Sequence, residues 1–161
     1  INMIPSSKHI AIIMRCKKAK YNYFHLRTLL KLCKKKKFTF LISANYRIAK
    51  AIGADGVHYP RNVNNARKDK NILTTCSFHG YKDYRRAKQL FADFIFISTI
   101  FHTKSDISKK ELGLIKISLL ANYAKYKYSV LGGVKNTNIN SLRNRGINSI
   151  SGLEYICEII K

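Results

Sequence analysis

Apolar residues recur along the 161-residue chain in two alternating rhythms, and the alternation predicts a repeated strand–helix order. Residues 9–15 form an apolar run of strand length. Residues 21–37 then carry Phe24, Leu26, Leu29, Leu30, Leu32 and Cys33 on one broad face of a helix. Further strands are predicted at 38–42, 56–59, 72–77, 94–100, 128–131 and 149–151. Helices are predicted at 45–52, 81–91, 111–124, 137–145 and 153–160. Pro60 ends the third strand and opens a polar loop over 62–70.

Apolar strands separated by helices imply a parallel sheet with both faces covered. Three corners share one logic: Gly53-Ala54-Asp55-Gly56-Val57, Phe91-Ala92-Asp93-Phe94-Ile95 and Gly146-Ile147-Asn148-Ser149-Ile150. Each ends a helix, turns with the help of Asp or Asn, and enters a strand. Repeated corners mean repeated βα units. The expected fold class is therefore α/β, a (β/α)8 TIM-type barrel. Seven strands are counted where a closed barrel has eight, so the first βα unit is expected to be lacking, leaving sequential strand order with one gap. A flavodoxin-like open sheet is the structural alternative. No Pro/Gly-rich linker divides residues 1–161, which predicts a single domain.

Charge changes the picture less than its size suggests. The formal net charge is +23, the footprint of a nucleic-acid binder. Yet Lys outnumbers Arg 22 to 9, and Ile and Asn are equally inflated at 21 and 13, the pattern of an A/T-rich coding bias. No clustered basic–aromatic stripe runs along the chain, so no specific nucleic-acid partner is expected. Attraction to anionic small molecules remains. No apolar window approaches the roughly 20 residues that span a bilayer, and no leader pattern opens the chain, so no membrane partner and a cytoplasmic location are expected. An oligomer is left open. Cys16, Cys33, Cys76 and Cys157 are too widely spaced for a zinc site and predict buried free thiols.

Working residues of a βα barrel lie at the C-terminal ends of its strands. Those positions hold Arg15, Lys17, Ser43, His58, Ser77, His79, Thr103, Lys104, Ser105, Gly132, Gly133, Ser151 and Gly152. Cations, hydroxyls, imidazoles and glycines with almost no carboxylates suit phosphate. The two glycine-bearing loops follow the last two strands, where barrels often hold a phosphate. A bulky residue at Gly133 is expected to remove that binding and leave the fold intact. Asp55 and Asp93 read as corner caps, and His58, beside Asp55, as a structural hydrogen-bonding group. No carboxylate pair of the acid/base kind is present.

Leu41-Ile42-Ser43-Ala44, Gly53-Ala54-Asp55-Gly56-Val57-His58, Ser77-x-His79, the run from Ser98 through Thr103-Lys104-Ser105, and Leu131-Gly132-Gly133-Val134 occur in order. Together they resemble the signature of the thiamine-phosphate synthase / thiazole tautomerase (TenI-like) family, from about residue 9 to residue 154. The resemblance implies a (β/α)8 barrel and a transferase joining hydroxymethylpyrimidine diphosphate to thiazole phosphate, with Mg²⁺ and release of diphosphate. It assigns Arg15 and Lys17 to the diphosphate and Ser77 to the reacting pyrimidine, as the catalytic set. It assigns His79, Thr103, Lys104, Ser105, Gly132, Gly133, Ser151 and Gly152 to the phosphorylated substrates. The family's two metal-binding Asp positions fall on Ala44 and Val63, so no metal-ligating residue is expected in this chain. Ile13 replaces a glutamine, Thr99 the histidine of the tautomerase branch, and Asp106 a lysine. The alternative these departures leave is a non-catalytic barrel that binds a phosphorylated thiamine precursor.

Overall fold

The computed structural model describes residues 1–15, 22–67, 69–103, 110–147 and 149–152. Seven strands alternate with five helices among them: β1 (Ala11–Met14), α1 (Tyr23–Lys35), β2 (Thr39–Ser43), α2 (Tyr46–Ile52), β3 (Gly56–Tyr59), β4 (Leu73–Phe78), α3 (Asp83–Gln89), β5 (Phe94–Ser98), α4 (Gly113–Ala124), β6 (Lys127–Leu131), α5 (Ile139–Arg143) and β7 (Ile150–Ser151). All pairings are parallel, in the order β1-β2-β3-β4-β5-β6-β7, in a sheet curled like part of a barrel. Sequential order excludes the flavodoxin-like alternative, which needs a switch point. The helix predicted at 153–160 lies outside the described residues, as do Cys16 and Cys157. Cys33 and Cys76 are buried free thiols, as expected.

Local chemistry explains where elements start and stop. Asn22 and Asn45 cap α1 and α2, accepting hydrogen bonds from the backbone N–H groups of His25 and Ile48. Gly53 closes α2 in the left-handed region. The helix predicted at 137–145 shrinks to α5 because Asn138 is committed to the preceding turn. Its Oδ1 accepts from Lys135 N–H at 2.9 Å and its Nδ2 donates to the Gly133 carbonyl at 2.8 Å.

The strands have two unlike faces. Phe40, Ile42, Val57, Cys76, Phe78, Ile95, Ile97 and Val130 are buried in the main core with Leu26, Leu30, Leu120 and other helix residues. Intervening positions point the other way and are largely polar: Ser43, His58, Thr75, Ser77, Ser98 and Ser129, with Leu41 and Phe96. Thus the strands are apolar toward the helices and rich in hydroxyls on the concave side. No helix among the described residues is long and apolar enough to cross a membrane.

The corner aspartates do what the repeat implied. Asp55 Oδ2 accepts the Phe40 N–H at 2.8 Å, and its backbone bonds to Phe40 and Leu73. Asp93 Oδ2 likewise accepts the Thr74 N–H at 2.8 Å, and its own N–H donates to the Thr74 carbonyl. Removing either carboxylate leaves a partly buried N–H unpaired. Asp93→Ala is expected to lower unfolding free energy in urea titrations by about 1–3 kcal/mol, and Asp55→Ala by a similar amount.

Candidate functional site

The strands' C-terminal ends form one mouth, and its centre is a chain of hydrogen bonds around His58. The ring is buried on β3. Its Nδ1 lies 3.0 Å from Thr75 Oγ1, and its Nε2 lies 3.3 Å from Ser77 Oγ. Thr75 Oγ1 donates in turn to the Val57 carbonyl, so it accepts from Nδ1–H. Nε2 is then an acceptor, and the Ser77 hydroxyl donates to it. Ser77 is left with its oxygen lone pairs free for a ligand. These bonds fit the structural hydrogen-bonding role expected of His58, and Asp55 serves the corner instead, its Oδ2 accepting the Phe40 N–H. Burial, helped by the charges of Arg15 and Arg86, lowers the His58 pKa to about 4.

Arg15 follows β1 in the phase of the concave face, exposed at the mouth, and its charge reaches His58. His79 is held in place, with Nδ1 2.9 Å from the Ser98 carbonyl and its N–H donating to Asp83 Oδ2. Thr103 is partly buried in the loop after β5. Gly132 and Gly152 follow residues paired across β6 and β7, Leu131 and Ser151, so the two glycine loops are neighbours. Ser151 Oγ is 2.7 Å from Ser129 Oγ. Lys17, Lys104 and Ser105 lie outside the described residues.

Gly133 differs from expectation. Its φ is +67°, and a Cβ there would run into the His102 carbonyl and come within 2.8 Å of Phe101 Cβ. The Ile100 and Phe101 N–H groups also donate to the Leu131 and Gly132 carbonyls, drawing the two loops together. A bulky residue at 133 therefore disrupts the structure and cannot serve as a clean probe of anion binding.

Two features were not singled out from the sequence. Arg86, 8% exposed, donates from Nε to the Val63 carbonyl, from Nη1 to that of Ser77, and from Nη2 to those of Tyr59 and Pro60. It ties the loop after β3 to the end of β4. Its signal was a charged residue in a helix's buried stripe, next to Ala87. The second is a cleft of about 430 Å³ at the ends of β2 and β3, whose walls include Ala44, Arg47, Tyr59, Val63, Asn65 and Arg67.

The donors present do not suit a divalent metal. Ala44 and Val63, the positions assigned to metal carboxylates, share that cleft and offer no side-chain oxygen. The five described carboxylates are all engaged elsewhere: Asp55, Asp83, Asp93 and Glu111 accept backbone N–H groups, and Asp69 accepts from Tyr46, Lys50 and Asn71. Among the described residues no group of three His, Cys, Asp or Glu could hold a metal. Cys76 is no nucleophile, since burial pushes its thiol up to about 11.

Comparison with known proteins decides the family. The family model described as thiamine monophosphate synthase matches residues 5–156. The chain belongs to that family. It is 29% identical over 126 residues to a thiamine-phosphate synthase of Prochlorococcus marinus subsp. pastoris, covering 75% of this chain and 36% of that protein. It is 29% identical over 131 residues to a thiamine-phosphate synthase of Fusobacterium nucleatum, covering 76% and 63%. The chain thus spans about a third to two-thirds of the length of these relatives. Thiamine phosphate pyrophosphorylase from Pyrococcus furiosus shares its fold, with a TM-score of 0.73 at 21% identity, covering 88% of this chain and 71% of that one.

His58 makes a pH prediction. Its folded pKa lies below the ordinary value of 6.5, so between those values the unfolded chain binds the extra proton. Stability from this residue is complete above about pH 6.5 and is lost as pH falls through about 4. The total is on the order of 3 kcal/mol. Urea unfolding followed from pH 7 to pH 4 should show this loss, and His58→Gln should flatten the slope.

Proposed function

We propose that the chain is a thiamine-phosphate synthase-like transferase, joining hydroxymethylpyrimidine diphosphate to thiazole phosphate. Family membership along nearly the whole chain supports this reading. The observation that carries it to residues is the mouth itself, where Arg15 and the acceptor oxygen of Ser77 lie about a neutral, buried His58. In the reaction the carbon–oxygen bond to diphosphate breaks, its electron pair leaving on the diphosphate, and a bond to the thiazole forms. Departure of a polyanion needs fixed positive charge more than it needs a base.

Arg15 and Lys17 are assigned to that charge and Ser77 to orienting the pyrimidine. His79, Thr103, Lys104 and Ser105 are assigned to the same substrate's side of the mouth. Gly132, Gly133, Ser151 and Gly152 are assigned to the thiazole phosphate, the paired ends of β6 and β7 supporting that choice. The whole reads as one domain of the (β/α)8 barrel type. The partners are phosphorylated small molecules, and the setting is the cytoplasm.

The lack of metal carboxylates favours a second reading, a barrel that holds a phosphorylated thiamine precursor without turnover. Incubating the protein with both substrates and Mg²⁺ separates the two, thiamine phosphate being expected from the transferase only. Arg15→Ala is expected to cost about 2–4 kcal/mol in transition-state stabilisation, read as kcat/KM. Undiminished turnover in Arg15→Ala would remove the diphosphate from that position.

Ala44 has φ +62°, a left-handed conformation that Asp adopts more readily than Ala. Ala44→Asp combined with Val63→Asp should therefore fold normally and make turnover depend more steeply on Mg²⁺. A titration of rate against Mg²⁺ checks this.

A further inference from the structure

We propose that the cleft at the ends of β2 and β3 is a metal-independent anion site, in which Arg47 and Arg67 receive a phosphate or diphosphate group. The inference deepens the transferase reading and rests on it for the identity of the ligand, while the site itself stands on the geometry below.

The walls of the cleft carry two guanidinium groups and no carboxylate. Neither guanidinium is paired with an acid among the described residues, and both side chains are exposed to an incoming ligand. Their planar forks match phosphate oxygens in pairs, which a lysine ammonium does not. The volume, about 430 Å³, accommodates a diphosphate with a ring attached.

A third donor is buried in the same wall. Tyr59 is 3% exposed; its hydroxyl oxygen lies against the Arg67 backbone N–H, and its own O–H has no acceptor among the described residues. Buried hydroxyls are ordinarily satisfied. An acceptor oxygen entering between the arginines would pair with it.

The neighbouring acid does not compete. Asp69 Oδ2 accepts the Tyr46 hydroxyl at 2.6 Å and Lys50 Nζ at 3.0 Å, so its charge is neutralised on the far side of Tyr46. Those bonds also brace the loop that carries Arg67 against α2, which carries Arg47.

Calorimetric titration with inorganic pyrophosphate, in buffer containing EDTA, tests the site. The parent is expected to bind, and Arg47→Gln and Arg67→Gln are each expected to weaken binding at least about tenfold. Tyr59→Phe should weaken binding several-fold without lowering Tm, whereas a merely structural hydroxyl would leave binding unchanged. Lys125→Asn with Lys127→Gln, at the opposite end of the sheet, controls for the general +23 charge and should bind like the parent. Binding only with a divalent cation, unaltered binding by the arginine variants, or equal loss in the lysine control would each overturn the proposal. The two readings fail separately. A parent that binds pyrophosphate through these arginines but makes no thiamine phosphate sinks the transferase alone. A parent that makes thiamine phosphate while both arginine variants bind pyrophosphate undiminished sinks the cleft alone.

Discussion

A parallel sheet has no hairpins to set its register, so something at each corner must decide where one strand starts relative to the next. In this protein that role falls to carboxylates bonded to backbone N–H groups of the neighbouring strand. Asp55 joins β2, β3 and β4 through its side chain, its N–H and its carbonyl. Asp93 repeats the joint between β4 and β5. A slip of β3 by one residue at the Asp55 corner would turn His58 into the helix layer and Val57 into the concave face, and a slip of β5 at the Asp93 corner would do the same to Ser98 and Ile97. The facing of the mouth residues on β3 and β5 therefore depends on two joints at the opposite end of the sheet. Close packing reinforces them, since a Cβ on Gly56 would meet the Leu73 side chain at 2.9 Å.

The same use of carboxylates shapes the electrostatics of the mouth. In each of the five described acids at least one carboxylate oxygen accepts a backbone N–H, which orients the group toward the main chain. Among the described residues the ion pair is that of Asp69 with Lys50, away from the mouth cation Arg15. Arg86 is the instructive case. Among the described residues it is buried without a carboxylate partner, and four carbonyl oxygens compensate its guanidinium. Its positive charge therefore persists close to His58 and helps keep that imidazole neutral. A neutral His58 can accept from Ser77, which a protonated one could not; burial is the main cause of that neutrality, and Arg15 and then Arg86 add to it.

Much of this was legible in the sequence. The strand–helix alternation, the sequential order and the role of Asp55 and Asp93 follow from apolar periodicity and corner chemistry, both local properties. What escaped was non-local. The polar concave face was hidden because Thr75 and Ser77 alternate with Thr74, Cys76 and Phe78 in a strand that reads as simply mixed. Arg86 and Val63 meet only across 23 residues. The glycine pair suggested an open phosphate turn, yet the loop after β5 lies against it, a contact no spacing rule anticipates. Likewise, no basic–aromatic stripe runs along the chain, but folding gathers Tyr81, Lys82, Tyr84, Arg85 and Lys88 beside Tyr123 on the face between α3 and α4.

The exchange at the cleft also makes electrostatic sense. Two carboxylates holding one divalent cation sum to no net charge, so such a site attracts a diphosphate only at short range, through the exposed face of the ion. Removing both acids removes the cation's anchor with no change in net charge. Two guanidinium groups then add two positive charges that no proton or metal equilibrium can withdraw, because arginine stays charged throughout the working pH range. The backbone needs no rebuilding for the change. The Ala44 N–H donates to the His58 carbonyl at 2.8 Å, so the left-handed turn is held by the main chain rather than by the side chain at 44. What the substitution gives up is geometric: a metal bridges specified oxygens, whereas exposed arginines on a loop and a short helix hold the anion less rigidly. A site of this kind binds polyanions readily and positions them less sharply, which favours affinity over rate.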